Sequence, residues 1–463
     1  MVTTANYTPE EPIVAIATAL SPAALGVIRV SGKNVIEQTA TLFSRPKALK
    51  NASGNTLLYG WIQDKEKNNI DEVMLGIYRA PKSFTGEDMV EIYCHGGTSV
   101  VLSIYHLFLE NGFREAERGE FSFRSFINGK ADLTKAEAIR EIIEAKTDTS
   151  RSRAAGRLAG SLYEQLTVIK KQLIATLAAI EAEIEYPEDE NAIADAFDKK
   201  DLEEAYKALQ ELSASWKSEK LYQDGARLIL CGKTNAGKSS LFNALLKEER
   251  SIVSDVHGTT RDWIESWISF DGIPARLFDT AGLRITADTV EQIGVEMTKD
   301  LSKDADILLY VIDSSKGITQ EDREFLQENT NIPIIVIFNK IDTLHQLDKL
   351  KNVSLPENTY SVLVSAKTSN GLKDLTEQVK KILLHQDNTE RKQAGLGSER
   401  QKIAIDEALD SLSYALHAAE KNYPLDAVVQ DIEDALDFLG EITGEVNPDD
   451  ILESIFSRFC VGK

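Results

Sequence analysis

The sequence predicts a multidomain protein of the α/β and α+β classes: an α+β domain, then a helical domain, with an α/β domain inserted into the helical one. Three observations carry this. The chain has 463 residues, and at roughly 150 residues per domain that length implies about three cores. Apolar residues recur at three- and four-residue intervals in some stretches and form short unbroken runs in others, the marks of helix faces and of buried strands. The two patterns alternate between residues 221 and 384, which predicts a mostly parallel sheet with crossover helices there.

Residues 1–125 combine short apolar runs (Ile13 to Ala17, Leu25 to Val30, Met74 to Tyr78, Met89 to Tyr93) with Gly and Pro turns and helical pieces. This is the pattern of an α+β domain. Residues 126–220 form the first half of the helical domain. There Leu158, Leu162, Leu166, Ile169, Leu173, Leu177, Ile180 and Ile184 keep a helical period, predicting one long helix that ends near Glu185, ahead of Pro187. A second helical pattern covers Asp201 to Lys217. The inserted domain, 221–384, has strands at Arg227 to Cys231, Ala275 to Phe278, Ile307 to Ile312, Ile332 to Phe338 and Tyr360 to Val364. The polar stretch Gln386 to Ser398 reads as a linker, and helical periodicity from Glu399 onward makes 385–463 the second half of the helical domain.

Composition narrows the function classes. With 52 basic and 74 acidic residues the net charge is −22, so non-specific attraction to nucleic acid or an anionic membrane is disfavoured over the surface as a whole. The three cysteines, Cys94, Cys231 and Cys460, lie too far apart for a disulfide framework or a zinc cluster. Nothing from Met1 to Glu11 resembles a secretory leader, and no run approaches the roughly 18 apolar residues of a membrane span. A cytoplasmic protein is the expectation. The acids Glu181, Glu183, Glu185, Glu188, Asp189 and Glu190 read as a solvated helix end rather than a metal cage.

The chemistry is concentrated at strand ends. Gly232-Lys233-Thr234-Asn235-Ala236-Gly237-Lys238-Ser239 follows an apolar strand and fits the phosphate-loop pattern G-x-x-x-x-G-K-[ST]. Its N–H groups at Asn235, Ala236, Gly237, Lys238, Ser239 and Ser240 can wrap phosphates, Lys238 neutralises the β and γ oxygens, and the Ser239 hydroxyl suits Mg²⁺. Asp279-Thr280-Ala281-Gly282 closes a second strand, where the carboxylate can hold Mg²⁺ through water and the Gly282 N–H can sense a γ-phosphate. Asn339-Lys340-Ile341-Asp342 and Ser365-Ala366-Lys367 close two more. A carboxylate at Asp342 accepts two hydrogen bonds from guanine and finds no matching donors on adenine, so GTP is favoured over ATP.

The segment Gly258-Thr259-Thr260-Arg261-Asp262 stands where a first switch would offer a threonine to Mg²⁺. Thr260 is the first choice and Thr259 the alternative. The residue after Gly282 is Leu283, where many GTPases carry the glutamine that orients the attacking water. Apolar Leu283 cannot do this, leaving Arg284, Asp288, Glu291 and Glu296 as candidates, among which a carboxylate fits better than an arginine. Asn235 is a candidate to hold a monovalent cation in place of an arginine finger.

A Ras-like P-loop domain inside a helical domain, with GTTRD at Gly258 to Asp262, DTAGLR at Asp279 to Arg284 and a chain end Phe459-Cys460-Val461-Gly462-Lys463, resembles the MnmE (TrmE) family of tRNA modification GTPases. These belong to the TrmE-Era-EngA-YihA-Septin-like P-loop proteins. Gly26 to Gly32, Ser83 to Asp88 and Gly119 to Lys130 also match, so the likeness spans essentially the whole chain. Thr234 stands where the family usually has proline.

The resemblance implies a homodimer formed through the N-terminal domain, in a heterotetramer with an MnmG (GidA)-type FAD partner and acting on tRNA. Together they would add an aminomethyl or carboxymethylaminomethyl group at C5 of the wobble uridine, using a tetrahydrofolate one-carbon unit (5-formyl or 5,10-methylene form). The N-terminal α+β domain would be folate-binding, with Arg29, Glu91, Lys130 and Lys463 as contacts. GTP contacts would extend over Ser254, Asp255, Val256, His257, Gly258, Thr259 and Thr260. K⁺ would sit near Asn235, Ser254, Val256 and Thr259, and Glu291 would orient water. Cys460 becomes a site residue, although a lone cysteine at an apolar helix end is ordinarily buried. Asp426 to Glu453 holds ten acids and no base, so this face should repel tRNA and suit a basic partner. Two other readings compete: a regulatory RNA-binding GTPase such as a ribosome-assembly factor, which should carry a basic RNA module, and an ATP-dependent P-loop enzyme, which Asn339 to Asp342 disfavours.

Overall fold

Two six-stranded sheets organise the chain. The computed structural model describes residues 11–185, 199–248, 264–279, 305–329, 331–343, 355–384, 395–421, 423–446 and 449–462. They fall into two compact units, one made of Met1–Arg140, Tyr163–Ala208 and Ile403–Lys463, the other of Glu141–Leu162 and Leu209–Lys402.

In the first unit, β1 (Ile13–Ile16), β2 (Leu25–Ser31), β3 (Thr56–Gln63), β4 (Asn69–Tyr78), β5 (Met89–His95) and β6 (Arg114–Glu115) lie in the order β3-β4-β5-β2-β1-β6. Only the β1–β6 pair is parallel. One face buries Ile28, Val30, Leu75, Ile77, Val90 and Ile92, packed with α1 (Val35–Thr41), α2 (Pro46–Asn51) and α3 (Thr98–Leu109). The sequence pattern overlooks β3, because its outward positions Leu57, Tyr59 and Trp61 are apolar yet exposed, which hides the alternation that marks a strand. Register sets the other face: Arg29 pairs with Glu91 across β2 and β5, so their side chains stand beside each other.

Beyond the sheet come α4 (Glu120–Ile127), α5 (Leu133–Glu144), α6 (Asp148–Leu158), α7 (Ser161–Glu185) and α8 (Lys199–Asp224). The single helix expected from Leu158 onward is two, for the chain turns at Ala159–Gly160. Leu162, Leu166, Leu173 and Ile180 are fully buried, whereas Leu158 is 36% exposed and outside the stripe.

The second unit holds β7 (Ala226–Cys231), β8 (Ile264–Phe270), β9 (Ile273–Asp279), β10 (Ile307–Asp313), β11 (Ile334–Asn339) and β12 (Thr359–Leu363), in the order β12-β11-β10-β7-β9-β8. All pairs are parallel except the β8–β9 hairpin. The mostly parallel sheet is as predicted; β8 is not, since Ser266 and Ser269 interrupt its apolar pattern. The helices are α9 (Lys238–Glu248), α10 (Gln320–Glu328) and α11 (Leu372–Leu383). The hairpin turn is held from two sides: Thr147 Oγ1 donates to Gly272 O at 2.8 Å, and Lys380 pairs with Asp271 at 2.7 Å.

Residues 395–397 correct the linker expectation. Gly395, Leu396 and Gly397 are buried, and their N–H groups donate to Glu219 Oε1 (3.1 Å), Ser215 Oγ (3.4 Å) and Gln401 Oε1 (2.7 Å). Glycine there allows close approach, since a Cβ on Gly395 would stand 2.2 Å from Ser215 Oγ. Next to it lies a buried ionic cluster: Glu219 accepts from Arg153 at 2.6 Å and Arg157 at 2.9 Å, and Arg157 also pairs with Glu141.

The chain ends in the first unit with α12 (Glu399–Glu420), α13 (Leu425–Thr443) and α14 (Asp449–Phe456). Lys199 pairs with Glu420 at 2.9 Å, and Lys170 pairs with Glu445. Phe456 meets Phe123 edge to face at 5.5 Å. Leu452, Ile455, Phe456 and Phe459 join Phe123, Leu133 and Ala136 in one core cluster. Among the described residues no helix is long and apolar enough to cross a membrane.

Removing one partner from a buried ion pair leaves a charge without compensation, at about 3–5 kcal/mol. Glu219→Ala should therefore destabilise the second unit by about 3 kcal/mol, read as a lower urea midpoint. An unchanged midpoint would mean that the cluster contributes nothing to this unit's stability.

Candidate functional site

Four strands of the second sheet end at the same, carboxyl edge: Cys231 leads into the phosphate loop, and the polar residues Asp279, Asp313 and Asn339 terminate β9, β10 and β11. Open parallel sheets bind ligands at this edge.

Asn339 is 1% exposed and joins three segments. Its Nδ2 donates to Ala236 O at 3.0 Å, while Oδ1 accepts from Lys340 N at 2.8 Å and Ala366 N at 3.0 Å. Gly237 (φ +97) is needed beside it, because a Cβ there would lie 2.3 Å from Asn339 Nδ2. Lys340, itself at φ 65, donates to Asn235 O at 2.7 Å and Asp313 Oδ2 at 2.6 Å. Burial pushes the Asp313 carboxyl up, but hydrogen bonds from Lys340 and Ser315 outweigh it and leave the pKa lowered. Asp342 is exposed, with Oδ1 accepting from Ser365 Oγ at 2.7 Å. Ser365 is buried and Lys367 exposed. A fixed carboxylate thus faces solvent beside the phosphate loop.

Lys238 is 8% exposed, and its ammonium donates to Gly232 O at 2.7 Å and Lys233 O at 2.9 Å. Burial lowers its pKa and the charge of Asp279 opposes the shift. Ser239 Oγ donates to Asp279 Oδ2 at 3.2 Å. This hydroxyl and carboxylate meet as a divalent cation's ligands would, and their hard oxygens fit Mg²⁺. Asn235 (φ 63), Thr234 and Ser240 are exposed, and Ala236 is buried. The structure therefore brings Asn235 to Ser240, Asp279, Asn339 to Asp342 and Ser365 to Lys367 to one edge. Ser254 to Thr260, Thr280 to Gly282, Arg284, Asp288, Glu291, Glu296 and Lys463 lie outside the described residues.

A second cluster lies on the first sheet. Arg29 Nε is 3.1 Å from Glu91 Oε1, and its guanidinium sits 5.2 Å from both the Phe84 and Phe121 rings. Tyr93 and Tyr78 donate to Glu91 Oε2 at 2.6 and 3.3 Å. Burial, then the Glu91 bond, push the Tyr93 hydroxyl up, keeping it a donor. Lys130 is exposed and its Cγ borders Gly86. The chain end is drawn in: Arg118 bridges Val461, Gly119 N donates to Cys460 O at 3.4 Å, and Arg29 Nη1 donates to Gly462 O at 3.1 Å. Cys460 is exposed, against the ordinary expectation of burial; it stands between Phe459, which is in the helical core cluster, and Val461, which forms the bridge to Arg118.

Tyr78, Tyr93 and Asp313 escaped sequence reasoning. Asp313 had a usable signal, a lone carboxylate ending an apolar parallel strand. So had Tyr93, which stands two residues after Glu91 on β5 and hence on the same face; Tyr78 had none, since only register brings it to Glu91.

A family model described as GTP-binding protein TrmE N-terminus matches residues 12–130, and one described as MnmE helical domain matches residues 133–460. A tRNA modification GTPase MnmE of Treponema denticola is 51% identical over 469 residues, covering 99% of this chain and 99% of that protein. Its counterpart in Treponema pallidum is 42% identical over 494 residues, with 99% of each covered. That of Carboxydothermus hydrogenoformans is 39% identical over 459 residues, with 98% and 100% covered.

Asn339→Ala would leave the Ala236 carbonyl and the Ala366 N–H unpaired, at about 1–3 kcal/mol each. Affinity for a fluorescent guanine nucleotide should drop about tenfold or more; binding within twofold of the parent would show that the loop does not need this tie.

Proposed function

The chain belongs to the MnmE family of tRNA modification GTPases, and we propose that it hydrolyses GTP to GDP and phosphate in the service of tRNA modification. The observation that carries this reading is the linkage of base and phosphate recognition: Asp342, oriented by Ser365, and the phosphate loop, pinned by Asn339, form one hydrogen-bonded piece. Backbone N–H groups of the loop and the start of α9 would receive the phosphates. Lys238 would exchange the carbonyls of Gly232 and Lys233 for β and γ oxygens. Ser239, and Asp279 through water, would hold Mg²⁺, with Thr260 as a further ligand; when bound, the ion would supply positive charge to offset that of the phosphates. A water oxygen would bond to the γ-phosphorus as the bond from that phosphorus to the β–γ bridging oxygen breaks; the bridging oxygen leaves with GDP, one water proton stays on the released phosphate and the other goes to solvent. Glu291 is our choice to orient that water, and Asn235 with Ser254, Val256 and Thr259 to hold K⁺ where an arginine finger would act.

We assign the cluster on the first sheet to a tetrahydrofolate derivative. Its donor set supports this: Glu91 can accept from a pterin's N–H edge, the partly exposed Phe84 offers flat apolar contact, and Arg29, Lys130 and Lys463 supply charge for glutamate carboxylates. When bound, the cofactor supplies the one-carbon unit. We further propose a cytoplasmic homodimer joined with an MnmG (GidA)-type FAD partner, which together modify C5 of the wobble uridine. The net charge of −22 favours a partner that carries most of the tRNA contact.

Two measurements test the GTP reading. Asp342→Asn removes a charged acceptor of two hydrogen bonds, so preference for GTP over ATP should fall about 100-fold; undiminished preference would dismiss Asp342 as the base reader. GTP turnover should rise about tenfold or more in K⁺ over Na⁺ at matched ionic strength, and more steeply at higher protein concentration. Indifference to the cation would remove Asn235 from its role and favour a simple regulatory GTPase.

A further inference from the structure

Lys233, the second residue of the phosphate loop, has a backbone and a side chain with different tasks. Its carbonyl is one of the two that hold the Lys238 ammonium. Its side chain goes to the start of α10, where Nζ donates to Thr319 Oγ1 at 2.7 Å and lies 2.5 Å from Glu321 and 3.7 Å from Asp322. That start is rigid. Thr319 and Asp322 form a reciprocal capping box, Asp322 is 2% exposed, and its Oδ1 accepts from Tyr310 OH of β10 at 2.8 Å. Tyr310 in turn stacks on Phe325 of α10 at 4.6 Å.

Asn339 holds the loop at Ala236, and Lys340 holds it at Asn235. Both ties lie at its middle. Between them and β7 the loop has Gly232, Lys233 and the exposed Thr234. We propose that Lys233 is a positioning residue, which fastens the near end of the phosphate loop to the capped N-terminus of α10 and so pre-sets the loop for nucleotide. Glu321 is 78% exposed at its side chain and contributes little, as exposed pairs do; Thr319 and the buried Asp322 are the anchor. A loop held near its start as well as at its middle loses less conformational freedom on binding. Because the tie acts equally before and during phosphoryl transfer, it belongs to uniform binding, which moves KM and not kcat.

The inference rests on the reading of this loop as a GTP site, and the full-length chain tests both. Lys233→Met should raise the KM for GTP and the Kd for a fluorescent GDP analogue about 3- to 10-fold, with kcat changed less than twofold, and Lys233→Arg should restore most of the loss. Thr319→Val should raise KM on its own, and adding it to Lys233→Met should give no further rise, because both remove the same tie. Unchanged KM and Kd in Lys233→Met, a loss confined to kcat, or additive effects in the double variant would each overturn the anchoring role while leaving the GTP site intact. Failure of the parent chain to bind the analogue overturns both. Should Lys233→Met not fold, Thr319→Val, which keeps the loop sequence, decides by its KM alone.

Discussion

A buried side-chain amide must find partners for its donors and acceptors or destabilise the fold, and Asn339 finds them in three segments that are otherwise far apart in the chain. The phosphate loop, the end of β11 and the loop after β12 are joined through this one group. The consequence is mechanical. Asp342 and Ser365 cannot shift against Ala236 without breaking a bond of a side chain that is almost wholly buried, so base and phosphate recognition keep a common frame. Burial of the whole strand before it, Ile334 to Phe338, fixes where Asn339 emerges.

Much of the second unit was legible because a parallel sheet buried on both faces writes its strands as apolar runs, and because each run ends in a residue whose chemistry differs from it. Asp279, Asn339 and Ser365 all stand at such ends. What was not legible is what depends on partners distant in sequence. The strand β8 carries serines whose place is set by the hairpin with β9; Gly395 and Gly397 look like flexible filler, whereas Gly395 lets backbone approach α8 closely and Gly397 lets it approach Glu141 and Arg157. The cluster of Glu219, Arg153 and Arg157 would pass for solvent-facing helix charge on any periodicity plot.

The first unit shows the same division. Arg29 and Glu91 were named from motif likeness alone, and register explains why they belong together: they are directly opposed on neighbouring antiparallel strands. The tyrosines that orient Glu91 follow from the same ladder. Exposed apolar side chains on β3 blurred its alternation, and the helical stripe counted from Leu158 ran through a turn that hydrophobic spacing cannot report.

The tail that reaches Arg29 has a bearing on how the protein is made. Arg29 and Gly462 are 433 positions apart in the chain, and at about 5–20 residues per second of synthesis their emergence is separated by tens of seconds. The first sheet can form early from its own strands, yet the contact between the Arg29 guanidinium and the Gly462 carbonyl waits until Gly462 has been made. This cluster is thus completed long after the strands that carry it, and a nascent chain that has not reached Gly462 holds it unfinished.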